Sequence, residues 1–255
     1  MQSRQVLAVP LVTLAFALCA GAAHAQVKPA MKPLADDELS GVWGQALIDL
    51  TNTSTSGYDF SRLTLNADIT MSTTLTGLKL GTQASGTSDI DFTTLNFGRS
   101  DLDDAHRTVA IANPYFEWVY AGSAATGDRQ VVGMRVGFGS IAGDVGLAMN
   151  TVSGSLSLST SSGQATALGS QQTALATAGG TLALSQIGGV TAGNSDGASR
   201  DFFLSVLKSA VTWPATTGVG ASATAQAGFW LNWTDRLAAL NTTGTVPPNV
   251  PKIGP

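Results

Sequence analysis

The chain has 255 residues, with 13 Lys+Arg against 17 Asp+Glu, a formal net charge of −4, and only 12% charged residues. So few basic side chains cannot neutralise a run of phosphates, which sets nucleic acid aside as a partner. One cysteine and two histidines exclude a Cys/His zinc cluster, while the length is enough to bury one substantial core.

Residues 1–25 read as a secretory signal peptide. Arg4 supplies the positive start, VLAVPLVTLAFALCAGAA the short apolar stretch, and Ala23 and Ala25 a small-x-small cleavage site before Gln26. The apolar run is about the minimum spanning length and contains Pro10, so cleavage is expected rather than a membrane anchor. Processing would remove Arg4, Cys19 and His24, leaving a cysteine-free chain whose one histidine is His106. Such a chain must hold together by core and sheet alone. Residues 26–45 read as a helical turn and linker. Asp36, Asp37 and Glu38 suit the positive end of a helix, and Leu34, Leu39, Val42 and Trp43 form an apolar side expected to cap the first edge of a sheet.

From residue 46 to 240 the pattern is that of strands. In SRLTLNADITM, Leu63, Leu65, Ala67, Ile69 and Met71 alternate with Arg62, Thr64, Asn66, Asp68 and Thr70. The phase breaks at Gly77, where a bulge or turn fits. Ile90 with Phe92, Leu95 with Phe97, and Val145 with Leu147 and Met149 continue the alternation. In RQVVGMRVGFG the pattern predicts Val132, Met134, Val136 and Phe138 facing inward and Arg135 facing outward. SRDFFLSVLKSAVTW fits both helical and strand spacing; strand is expected, because its neighbours are strands and Trp213-Pro214 ends it. The sum is one all-β domain over residues 46–240, an antiparallel sheet or sheets, sandwich-like or elongated, preceded by the short N-terminal helical turn. Residues 161–180, uncharged and low in complexity, read as a loop within it. Residues 241–255 carry four prolines and read as an extended tail.

Catalytic chemistry finds little to work with. His106 sits in SDLDDAHRTV, a polar connection, and no G-x-S-x-G elbow accompanies it. Asp89 and Asp91 share a strand face and read as solubilising charges rather than a glycosidase pair. Oxygen ligands cluster at 101–104, and at Asn194, Asp196 and Asp201 within 194–201, in the manner of Ca²⁺ sites. Neither stretch has the closing Glu of an EF-hand, and whether either binds calcium is not decided by the residues. GFGSIAGDVG lacks the order of a phosphate loop. In NPYFEWVY, Tyr115, Phe116, Trp118 and Tyr120 fall on both faces of one strand; core is the first reading, a lipid or partner patch the second. No catalytic, cofactor-binding or metal-binding residue is assigned, no cofactor is expected, and the chain is not expected to be an enzyme.

The stretch MKPLADDELSGVWGQALIDL carries a resemblance. Met31, Leu34, Asp36 or Asp37, Leu39, Val42, Gly44 and Gln45 match a Leu-x-Asp-x-x-Leu then Val-x-Gly-Gln signature. That signature is similar to one in a family of uncharacterised exported bacterial proteins, which includes proteins labelled as Fil-type pilus-system components. The resemblance implies export through the inner membrane, to the periplasm, the outer-membrane surface or the extracellular space. It supplies no catalytic residues. The expected function is a cell-envelope or surface protein of structural or adhesive type, associated with a pilus or filament. Expected partners are other envelope or filament proteins, the chain itself, and a lipid or outer-membrane surface. The alternative is an envelope binding module for a lipid or other apolar small molecule.

Overall fold

The computed structural model describes residues 47–122, 127–214 and 224–251. The expected signal peptide at 1–25 and the helical turn and linker at 26–45, Trp43 included, lie outside these residues. What is described is all-β and mostly antiparallel. In chain order the strands are β1 (Ile48–Thr55), β2 (Tyr58–Leu65), β3 (Asp68–Met71), β4 (Thr73–Leu80), β5 (Ile90–Phe97), β6 (Val109–Ala121), β7 (Gln130–Thr160) and β8 (Gly163–Gln172). There follow β9 (Ala174–Thr177), β10 (Gly180–Ala183), β11 (Gly189–Ala192), β12 (Phe203–Leu207), β13 (Val211–Thr212), β14 (Thr224–Ala225), β15 (Gly228–Trp233) and β16 (Leu237–Asn241).

The 31-residue β7 is the spine. Its first half pairs antiparallel with β6 on one side and β12 on the other. Its second half pairs antiparallel with β5, β8 and β11, and in parallel with β15 and β16. The halves meet near Gly143, whose φ of +124° is a conformation that favours glycine. Pairing to β6 ends at Ala142 and pairing to β5 begins at Val145.

Because β12 pairs with both β7 and β15, and β15 returns to β7, the sheet rolls over on itself. Gly137, Phe203, Asn232 and Ser155 are successive cross-strand partners around that roll. It is not a closed barrel: β1, β4 and β10 each pair on one side only. Inside the roll lies the main core, built on residues such as Phe92, Leu147, Met149, Leu156, Leu231 and Trp233. A second, smaller core holds Phe60, Phe203, Trp213 and Trp230 beside the short β13–β14 pair.

The alternation from Leu63 to Met71 is spread over two strands, β2 and β3. Both pair with β6, on either side of Asn113, whose φ is +51°. Gly77, with φ +68°, drops out of an otherwise continuous β4–β5 ladder, as the phase break predicts.

Residues 161–180 correct the sequence reading: they are not a loop. They form β8, β9 and the first residue of β10. Ala165 and Ala167 are buried while Gln164 and Thr166 face out, a regular alternation. Alanine is too small to mark that alternation by hydrophobicity, and the long β7 supplies the template through a hairpin that starts at Thr160–Gly163. Beyond β16 the chain is fastened across β4 and β5. Asn96 Nδ2 donates to the Pro247 carbonyl at 2.9 Å, and Asn249 Nδ2 donates to the carbonyls of Thr73 and Phe97 at 3.1 and 3.0 Å.

Candidate functional site

The aromatic strand β6 separates two very different faces. Residues directly opposite each other in an antiparallel ladder share a face, so the register reads off two rows. One runs Thr51–Arg62–Glu117–Arg135–Ser205–Trp230, and the other Leu50–Leu63–Phe116–Val136–Leu204–Leu231.

The first row is buried from Glu117 to Trp230, and it overturns the predicted phase of the first half of β7. Arg135, expected to face outward, is only 2% exposed, whereas Met134, Val136 and Phe138 are half-buried. The cause is electrostatic. Arg135 Nε donates to Glu117 Oε2, and Arg62 Nε donates to Glu117 Oε1 at 3.0 Å, so one carboxylate is held by two guanidinium groups. The Arg135 guanidinium also lies 4.3 Å from the Trp213 ring centre and 4.8 Å from that of Phe203, while Arg62 lies 4.1 Å from Tyr115. Such cation–π contacts return part of the hydration that burial removes. Burial pushes the Tyr115 phenol pKa up, against the opposing pull of Arg135 and Arg62. Arg135 Nη2 and the indole nitrogens of Trp213 and Trp230 have no hydrogen-bond partner among the described residues.

The second row is apolar and changes character along its length. It starts inside the main core at Leu231, passes the half-buried Leu204 and Val136, and emerges at Phe116 and Leu50, which are 49% and 62% exposed. Beside it runs an apolar groove of about 350 Å³, lined by Ile48, Leu63, Leu65, Phe116, Val136 and Phe138. The two readings of NPYFEWVY thus divide by parity. Tyr115 belongs to the buried face, and Phe116, Trp118 and Tyr120 to the outer one, where Arg129 lies over Tyr120 at 3.9 Å.

The other sequence-marked residues lie apart from this surface. At 101–104 each carboxylate meets a basic side chain: Asp101 with Arg99 at 2.7 Å, Asp103 with His106 at 2.6 Å, and Asp104 with Arg107 at 3.0 Å. Asn194 Oδ1 accepts from Asp196 N in a local turn. Asp201 is buried and accepts from Asn232 Nδ2 at 3.0 Å, Thr234 N at 2.8 Å and Asp235 N at 3.0 Å. Among the described residues no three His, Cys, Asp or Glu side chains are grouped to hold a metal ion. Asp91 pairs with Lys79 at 3.2 Å, and Asp89 accepts from the backbone of Phe229 at 3.0 Å.

Two predictions arise here. Asp201→Ala removes an acceptor shared by several donors, and buried donors left unpaired cost about 1–3 kcal/mol each before relaxation. A loss of about 2 kcal/mol in urea denaturation is expected; an unchanged midpoint would contradict the hub role. The hydrogen bond to Asp103 raises the His106 pKa above its ordinary value, and the same bond to His106 lowers that of Asp103. A raised histidine pKa favours the folded state at low pH, and that contribution fades as pH rises through the folded value. A lowered carboxyl pKa favours it at higher pH, and that contribution is lost as pH falls through the folded value. The pair therefore contributes between the two. An NMR titration should place His106 above a free histidine, and Asp103→Asn should bring it back.

Arg62, Glu117 and Arg135 escaped the sequence reading. Their signal was present: Glu117 and Arg135 are lone opposite charges, each in the middle of an apolar strand segment. Comparison with protein-family models, with curated proteins and with solved structures returned no match.

Proposed function

We propose that the chain is an exported envelope or surface protein that acts by contact rather than catalysis, of structural or adhesive type and associated with a pilus or filament. One observation carries the reading: the core's apolar row continues out of the roll and, among the described residues, ends uncovered at Phe116 and Leu50. Burying Phe116 and Leu50 against a partner or an outer-membrane surface would gain about 25 cal/mol per Å² of apolar area. The buried charge row behind it stiffens the sheet that presents the row, a useful property for a surface that bears contact.

The test is fractionation of the producing cells. The chain is expected with the envelope or the medium, and Phe116→Glu is expected to release it from particulate fractions without unfolding it. Recovery of the unaltered chain in the cytosol would overturn the proposal. The groove of about 350 Å³ supports a second reading, an envelope module for a lipid or other apolar small molecule. Solvent extraction and mass spectrometry of the purified protein decide between them: a stoichiometric lipid lost in Leu63→Glu would favour the second.

A further inference from the structure

The apolar row ends at β1, and β1 is an unusual edge. Edge strands offer unpaired N–H and C=O groups, and folded proteins blunt them with Lys, Pro, bulges, breaks or short length. The other described edge strands of the sheet, β3, β4 and β10, obey this. β4 carries Lys79 and the Gly77 break, β3 and β10 are only four residues long, and β10 opens on Gly180 with φ +143°. Among the described residues β1 has none of these devices, and the cap expected of residues 26–45 lies outside them. IDLTNTST contains no Lys, Pro or Gly, and its ladder to β2 runs without a register shift through all eight residues. Its side chains lie open along nearly their whole length.

We infer that β1 pairs antiparallel with β1 of a second copy of this chain, about a two-fold axis at Leu50. This deepens the contact reading, on which it rests for its biological setting alone.

The register follows from hydrogen-bond phase together with the side chains. Asn66 N donates to the Leu47 carbonyl at 2.7 Å, in register with the β1–β2 ladder, so the odd residues of β1 turn their backbone groups toward β2. The even residues, Ile48, Leu50, Asn52 and Ser54, turn theirs toward the open edge. A symmetric antiparallel pair can then centre on an even residue, in a hydrogen-bonded pair, or on an odd one, in a non-hydrogen-bonded pair; the side chains choose between them. An axis at Leu50 sets Leu50 on Leu50 and Ile48 on Asn52, with Asp49 facing Thr51. The two Asp49 carboxylates then stand roughly 8 Å apart by strand geometry, rather than face to face. Axes at Thr51 or Asn52 would set Leu50 against Asn52 or Ser54 and lose the leucine pair, and an axis at Asp49 would oppose two carboxylates. With the axis at Leu50 the apolar row becomes continuous through both copies, from Val136 to Leu50 and out again to the second Val136. Paired strands of this kind form an isologous interface.

Sedimentation velocity of the purified full-length chain is expected to show a reversible monomer–dimer equilibrium. Asn52→Pro removes an N–H that points away from β2, and should weaken the dimer about tenfold or more. Leu50→Lys, which opposes two ammonium groups at the axis, should do the same if the proline disturbs the hairpin. In a Cys19→Ser background, Leu50→Cys should oxidise to a covalent dimer faster than Asn52→Cys. Opposed residues of a hydrogen-bonded pair have Cα atoms about 5.5 Å apart, within disulfide reach. A chain that stays monomeric, a dimer indifferent to both edge variants, or faster cross-linking through Asn52→Cys overturns the inference. A monomer found in the envelope would sink the strand pairing and leave the contact reading intact; a dimer confined to the cytosol would do the reverse.

Discussion

Glu117→Ala is expected to destabilise the protein by about 3–5 kcal/mol, the range for breaking a buried ion pair by removing one partner. The substitution deletes little apolar volume, so a cavity cannot account for such a loss. What it leaves behind is Arg135, a guanidinium 2% exposed, with its strongest acceptor gone and Nη2 already without a partner among the described residues. Arg62 suffers less, because its side chain is 31% exposed and can turn toward water. That asymmetry orders the mutants. Arg135→Met removes the buried cation and leaves Glu117 its bond to Arg62, so a loss of about 1.5–3 kcal/mol is expected, of the size of a single hydrogen bond to a charged group. Glu117→Leu combined with Arg135→Met should come close to the wild-type midpoint, since an apolar replacement of both partners avoids desolvating either charge. Urea denaturation at constant m-value reads all three. If Arg135→Met proved costlier than Glu117→Ala, the cation–π contacts with Trp213 and Phe203 would outweigh the ion pair.

This charge row also explains why part of the molecule was hidden in the sequence. The fold class was legible, because period-two alternation needs only one wet and one dry face, and Leu63 to Met71 shows both. The phase of the first half of β7 was not. Val132, Met134, Val136 and Phe138 outrank Gly133, Arg135, Gly137 and Gly139 on any hydrophobic scale, yet Arg135 and Gly137 are the buried pair. A face of glycines is buried by close backbone approach: a Cβ at Gly137 would fall 2.5 Å from the Tyr115 hydroxyl and 2.6 Å from the Phe202 carbonyl. Hydrophobicity does not register that kind of packing, nor a cation whose partner sits on another strand. The strands at 163–177 were concealed for a related reason, since Ala165 and Ala167 bury completely while contributing almost no apolar signal. The outer face fared better. The parity of Phe116, Trp118 and Tyr120 within NPYFEWVY already separated them from Tyr115, and only the side they face needed coordinates.

Gly154→Ala should cost about 3 kcal/mol, the upper end of what overpacking does. The site tests the roll itself. Gly154 sits in β7 opposite Leu231 of β15, in the parallel ladder that brings the sheet back to its own spine. A methyl group built there runs into the Leu231 carbonyl, with the rest of Leu231 close behind. Neither side can yield cheaply. β15 is held on its far side by the β12 ladder, and Gly154 pairs with Gly169 of β8. Relief requires opening the β7–β15 ladder, which would expose Leu231 and Trp233 of the main core. Gly179→Ala is the matched control: it too lies in the β-rich region, has no atom within 4 Å of its would-be Cβ, and is expected to be nearly neutral. A sheet that stayed open between β7 and β15 would treat the two substitutions alike. A large difference between their urea midpoints is therefore the solution-state signature of the return ladder, and equal midpoints would rule it out.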